Sequence, residues 1–344
     1  MSRFSERPLR WTLDLPDSAA GMAFAPDGSR LAVATLAGDV LLLDTSTGEL
    51  ASTGAKHRGG ALAVTWHPSG TSLATAGQDG RVCLVEPGSS QKPVYRSFGR
   101  GWVEHLAWSE DGTALAIAAG KAVHVVSPHG DLIVEFAAQS TVAALAWLPG
   151  ERRLAVAGRG GIWIPPTGER KAPIDLPWSG ALLSIAPSPD GKVIATGSHE
   201  CSLQLWDWPS GEASEVTGFS AKVRNLAWNS TGSLLAAAGG ECITLWRFSG
   251  VGLVSKRPTV LMGHKASITG LAFLHDEALA SIDDAGLFIT WSKRKNAWHP
   301  DSESVCKARL TGLAVTPSVA VVATDRAGLL VFDLDDAHRE ETAA

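Results

Sequence analysis

A fourteen-residue motif recurs eight times along this chain, and that repeat constrains the fold more than any other feature. It reads GMAFAPDGSRLAVA from Gly21, AVTWHPSGTSLATA from Ala63, HLAWSEDGTALAIA from His105 and ALAWLPGERRLAVA from Ala144. SIAPSPDGKVIATG follows from Ser184 and NLAWNSTGSLLAAA from Asn225, with looser copies, GLAFLHDEALASID and GLAVTPSVAVVATD, from Gly270 and Gly312. Successive starts lie 42, 42, 39, 40, 41, 45 and 42 residues apart, so copies 1 to 8 fill the 344-residue chain. Each holds two short apolar runs around a turn rich in Pro, Asp, Ser and Gly, which supplies the positive-φ position a tight hairpin needs. A third run comes about ten residues later in most copies, as in VLLLD at Val40, VCLVE at Val82, LQLWD at Leu203 and ITLWR at Ile243. Runs this short and this rich in β-branched and aromatic residues are strands, and a fourth, more variable strand is expected in each connection.

One four-stranded sheet cannot bury both its faces. Set radially, each sheet packs on its neighbours and only short edges remain exposed. The expectation is an all-β, eight-bladed ring, with seven blades as the alternative and four antiparallel strands per blade. The chain runs out after the third strand of copy 8, and LRWTLDL, Leu9 to Leu15, precedes copy 1 unassigned. That segment is expected to complete the last blade and close the circle. Residues 1–337 then form one domain, with blade cores beginning near 18, 57, 100, 139, 178, 219, 263 and 307, and 338–344 form a tail.

The period, the L-A-W/F…P-D-G…L-A-x-A core, the Trp206-Asp207 pair and Gly263-His264 at the head of copy 7 resemble the WD40-repeat β-propellers over essentially the whole length. The resemblance implies a structural hydrogen-bond tetrad of His, Ser/Thr, Asp and Trp. In copy 7 this falls on His264, Ser281, Asp283 or Asp284, and Trp291. Copy 2 keeps His57, Thr75 and Asp79 but has Val85 at the Trp position. Most copies lack both dipeptides.

Bulk properties narrow the function. The net charge of −5 directs the chain to neither nucleic acid nor a membrane surface. The four cysteines, Cys83, Cys201, Cys242 and Cys306, are far apart, form no C-x-x-C and fit a reduced compartment. With no signal-like N-terminus and no run of 18 apolar residues, the expectation is a cytoplasmic protein with no membrane contact. There is no G-x-S-x-G elbow, Walker A loop or G-x-G-x-x-G fingerprint, so no enzyme, cofactor or catalytic residue is expected. His199-Glu200-Cys201 resembles a metal or redox triplet, with Cys242 of the next copy as a further donor. It falls on a tight turn and lacks the convergent third and fourth ligands that zinc needs, so turn chemistry is the preferred reading and no metal is expected.

Charge placement is the sharper signal. In the WD40 fold, positions eight, six and, less surely, four before the first-strand aromatic point to the top entrance. Here they carry Arg58, Arg100, Lys222, Arg224, Lys265, Lys307 and Arg309, with Glu104 as the acid and Trp102 as an aromatic contact. Five of the seven cations fall on copies 6 to 8. Asp27, Glu110, Asp111, Glu151, Asp190, Asp276 and Glu277 gather on the hairpins of the opposite face. The expected function is a non-catalytic protein–protein interaction scaffold, monomeric or part of a hetero-complex, docking a partner protein or an acidic or phosphorylated peptide on the top face. The alternatives are a metal-handling or enzymatic propeller using His199, Cys201 and Cys242 in the channel, and nucleic-acid binding through the basic arc. Nucleic acid is the less favoured partner.

Overall fold

The computed structural model describes residues 7–89, 92–99, 101–166, 172–249, 252–254 and 257–334. Among the described residues all regular structure is β, and no helix is long and apolar enough to cross a membrane. Within each copy the strands pair antiparallel in chain order. In copy 3, for example, Val103–Trp108, Leu115–Ala119, Ala122–Val126 and Leu132–Ala137 form one four-stranded sheet. Copies 1, 2 and 7 repeat this arrangement. In copy 8 the sheet gains its fourth strand from the other end of the sequence. Leu9–Asp14 lies antiparallel to Gly328–Asp333, with Leu9 opposite Phe332 and Asp14 opposite Gly328.

The expectation of eight separate blades is corrected: hydrogen bonding joins the strands into seven sheets. Copies 4 and 5 share one of them, six strands wide. The reason is local. Ile174–Pro187 runs unbroken from the last strand of copy 4 into the first strand of copy 5. Its early residues pair with Leu154–Ile164 and its late ones with Val193–Ser198. Copy 6 departs in a smaller way, because Cys242–Ser249 pairs both with Thr259–Met262 and with the short Gly252–Leu253.

The second strands are buried on both faces, so they alternate large with small rather than apolar with polar. In copies 1, 3 and 4 the second strand, the L-A-x-A segment, turns its Leu and Val or Ile toward the preceding copy and its alanines toward the next. Ala74 and Ala76 share a cluster with Leu115 and Ile117. Ala116 and Ala118 share the next with Leu154 and Val156. Ala236 and Ala238 share another with Leu279 and Trp291. Eight such clusters, one per junction between copies, follow one another around the ring among the described residues. Interdigitation of this kind gives crystal-like packing without voids. Three first-strand tryptophans also stitch across the junctions. The Nε1–H of Trp66 donates to the Ala23 carbonyl at 3.0 Å, that of Trp147 to Ala107 at 2.9 Å and that of Trp228 to Ala186 at 2.9 Å.

The hairpins between first and second strands are latched at one end of the ring. His67 Nε2 bonds the Gly112 carbonyl at 2.9 Å, and the Gly150 amide donates to Glu110 at 3.1 Å. The acids expected on this face act as turn caps and cross-links. Asp27 accepts from Ser29 and Asp190 from Ser188, while Asp111 accepts from Ser109 and Thr113 and pairs with Arg152.

Candidate functional site

The opposite end is built from two loop sets, one entering each first strand and one joining second to third strands. Backbone bonds tie the two together in copy after copy: the Gln78 amide donates to Gly60, His199 to Ala181, Asp284 to Ser267 and Asp325 to Arg309. The loops are therefore held rigidly before any side chain is considered.

Copies 2 and 7 add a polar relay. In copy 7, His264 Nδ1 lies 2.8 Å from Asp283 Oδ2, and Nε2 lies 2.7 Å from Ser281 Oγ, which accepts the Trp291 Nε1–H at 2.8 Å. Asp283, not Asp284, is the acid, and its Oδ1 also takes the amides of Ala285 and Leu287. Burial pushes this carboxyl upward, but the bonds from His264 and the two amides outweigh it and hold its pKa below the ordinary value. In copy 2, His57 bonds Asp79 at 3.0 Å and Thr75 at 2.9 Å. Asp79 further accepts the amides of Arg58 and Arg81. With Val85 at the tryptophan position, this relay stops at the threonine hydroxyl. Copy 5 retains only the far end: Trp206 Nε1–H donates to Thr196 Oγ1 at 3.0 Å, and Trp178 stands edge-on to Trp206 where the histidine would be.

The His199-Glu200-Cys201 triplet serves the turn. Glu200 accepts the Ala181 amide, and Cys201 adopts a left-handed φ of 57° with its thiol directed at the His199 carbonyl. Among the described residues, no group of three or more His, Cys, Asp or Glu side chains converges as metal ligands, so His199, Cys201 and Cys242 are not gathered into a centre. Burial pushes the Cys83 thiol up to about 12, as for an inert core residue.

The cations stand where strand alternation puts them. Lys222 and Arg224 are exposed on either side of fully buried Val223, and Lys307 and Arg309 are exposed just ahead of fully buried Leu310. Lys265 follows the buried relay histidine, and Arg58 follows His57. Arg309 reaches Asp284 at 3.7 Å and donates its amide to Asp325. Among the described residues Arg58, Lys222, Arg224, Lys265 and Lys307 enter no ion pair. Glu104 is exposed, and Trp102 is 53% exposed beside buried Val103. Arg100 lies outside the described residues. Sequence reasoning missed the cavity at copy 4 described below, whose signal was the loss of every relay residue around a Gly-Arg-Gly-Gly turn.

The model of the WD domain, G-beta repeat, matches residues 48–85 and 176–207. The chain is 27% identical over 112 residues to the anaphase-promoting complex subunit cdc20 of Dictyostelium discoideum, a match covering 32% of this chain and 22% of that protein. The chain thus spans about a fifth of that relative's length. In shape it is similar to the computationally designed Ika8 protein, with a TM-score of 0.79 at 17% identity over 95% of this chain and 99% of that one. It is also similar to a protein in the crystal structure of the mitotic checkpoint complex, with a TM-score of 0.67 at 18% identity over 98% and 94%. The repeat motif, the antiparallel sheets, the His–Ser–Asp–Trp relay and the two matched segments together support a WD40-type β-propeller.

Proposed function

We propose that this propeller is a non-catalytic docking scaffold whose top face binds an acidic or phosphorylated segment of a partner protein. The observation that carries the reading is the row Lys222, Arg224, Lys265 and Lys307: cations exposed on the loops of three successive copies, held on buried anchors and engaged in no ion pair among the described residues. Unpaired, prepositioned ammonium and guanidinium groups favour carboxylate and phosphate oxygens, and a rigid surface loses little ordering entropy on binding. Arg58, Trp102 and Arg309 border the same face, and Arg100 belongs to the proposal by position. A cytoplasmic setting and a monomer or hetero-complex fit this role. The similarity to cdc20 and to a checkpoint-complex protein is consistent with protein partners, but the chemistry of the partner rests on the charges.

The test is a fluorescence-anisotropy titration with paired phosphoserine and serine peptide libraries, repeated on a Lys222→Glu/Arg224→Glu/Lys265→Glu variant. Selective binding of acidic members, lost in the variant at unchanged melting temperature, is expected. Equal binding by both proteins would remove the assignment. Single-stranded DNA serves as competitor: displacement of the peptides with a steep salt slope would favour the nucleic-acid reading instead.

A further inference from the structure

The relay of copies 2 and 7 is missing in copy 4, and a cavity stands in its place. In copy 2 Val64 lies opposite Thr75 and Ala61 opposite Gly77; in copy 7 Leu271 lies opposite Ser281 and Ile268 opposite Asp283. The same register in copy 4 sets Leu145 opposite Val156 and Val142 opposite Gly158. Four residues before Ala61, Ile268 and Val142 stand His57, His264 and Ala138. Hydroxyl, acid and imidazole are thus replaced by Val156, Gly158 and Ala138. The turn that could roof the gap carries no bulk either, because the backbone reverses at Gly160 and Gly161 with φ of 99° and 124°. The result is a cavity of about 260 Å³. A Cβ on Gly158 would lie only 2.6 Å from Ser140 Oγ, so the glycine keeps this wall open.

The wall toward copy 3 is apolar, with Val142 and Val156 buried and Trp163 half-buried beside them. Arg159 stands exposed on the turn and enters no ion pair among the described residues, while Asp175 lies exposed on the outer strand. The exposed Arg159 offers an anionic ligand a partner at the turn. The volume is below that of a pocket for a drug-sized molecule and suits a single ring or a branched alkyl group.

We propose that this cavity binds an apolar group bearing a carboxylate, the hydrocarbon seated on Val142, Val156 and Trp163 and the acid on Arg159. It belongs to copies 3 and 4, remote in sequence from Lys222, Arg224 and Lys265, so the two readings fail separately. The probe is 3-phenylpropionate, titrated into the labelled protein while the Trp163 indole N–H and the Gly158 and Gly161 amides are followed by NMR. Saturable shifts are expected, several-fold weaker binding of the neutral 3-phenylpropionamide, and loss of that difference in Arg159→Gln. Ala138→Phe, which fills the cavity, should abolish the shifts; Ala138→Leu is the milder variant if the first does not fold. An acetylated peptide ending in phenylalanine separates two sources of the same chemistry: tighter binding than the free acid indicates the carboxy-terminus of a polypeptide, equal binding a small free acid. Absence of saturable shifts at millimolar probe, equal affinity for acid and amide, or undiminished binding in both filled variants would overturn the proposal.

Discussion

Asp283→Asn removes one charge from a relay whose proton positions are otherwise determined, and its cost can be worked out from the geometry. With Asp283 ionised, His264 Nδ1–H donates to the carboxylate, Nε2 accepts the Ser281 hydroxyl proton, and Ser281 Oγ accepts the Trp291 indole proton. Every donor has an acceptor, and the side chains of His264 and Asp283 are each only 1% exposed. An asparagine that keeps its oxygen on the Ala285 and Leu287 amides turns an N–H₂ toward Nδ1 and forces the other imidazole tautomer. Ser281 then receives two N–H donors, and its own proton is buried without a partner. Such a group costs about 1–3 kcal/mol. The loss should appear in urea unfolding at pH 7 as a lowered midpoint with an unchanged slope. The sign of its pH dependence follows from the depressed folded pKa of Asp283. The carboxylate's contribution is full above the unfolded value near 3.8 and fades as pH falls through the lower folded value. The gap between wild type and variant should therefore close below about pH 4. A gap equally wide at pH 3 and pH 7 would refute the relay argument.

Other outcomes follow from the same packing and chemistry. Ala118→Leu adds bulk to the small-residue face toward copy 4, where Ala118 is 1% exposed, and should lower stability by about 1–3 kcal/mol in urea titration. Removing residues 1–15 strips Trp11, Leu13 and Leu15 from the last junction and bares the edge of Gly328–Asp333; gel filtration should show association that a peptide of residues 7–16 reverses. Cys83, buried and with its thiol pushed up to about 12, should resist iodoacetamide in the native protein and react once unfolded, while the half-buried Cys201, Cys242 and Cys306 label before it by mass spectrometry.

The strands, their order and the use of Leu9–Asp14 were legible in the sequence because turn residues and apolar runs recur in register. The sheet count was not. Copy 4 has the same first-strand motif as its neighbours, but its Gly160-Gly161 reversal and the unbroken Ile174–Pro187 strand fuse it to copy 5. Hydrogen bonding across a repeat boundary leaves no periodic trace. The sequence does not separate Asp283 from Asp284, because the acid of copy 7 lies two positions earlier in its loop than Asp79 does in copy 2 and only side-chain reach distinguishes the two. The exposure of Lys222 and Arg224 could be read from alternation around Val223. The copy 4 cavity left only a negative signal, the missing relay residues around Gly158-Arg159-Gly160-Gly161.

Leu9 lies across from Phe332, and Arg10 pairs with Asp333, 323 residues along the sequence. The two strands thus enter and leave the molecule at the same corner. Tension applied between them would peel their bonds one after another rather than load them all at once, making this seam the mechanically weakest line of the circle. During synthesis it is also the last to form, so until residue 333 has emerged the nascent protein carries an open edge at each end of an otherwise finished ring.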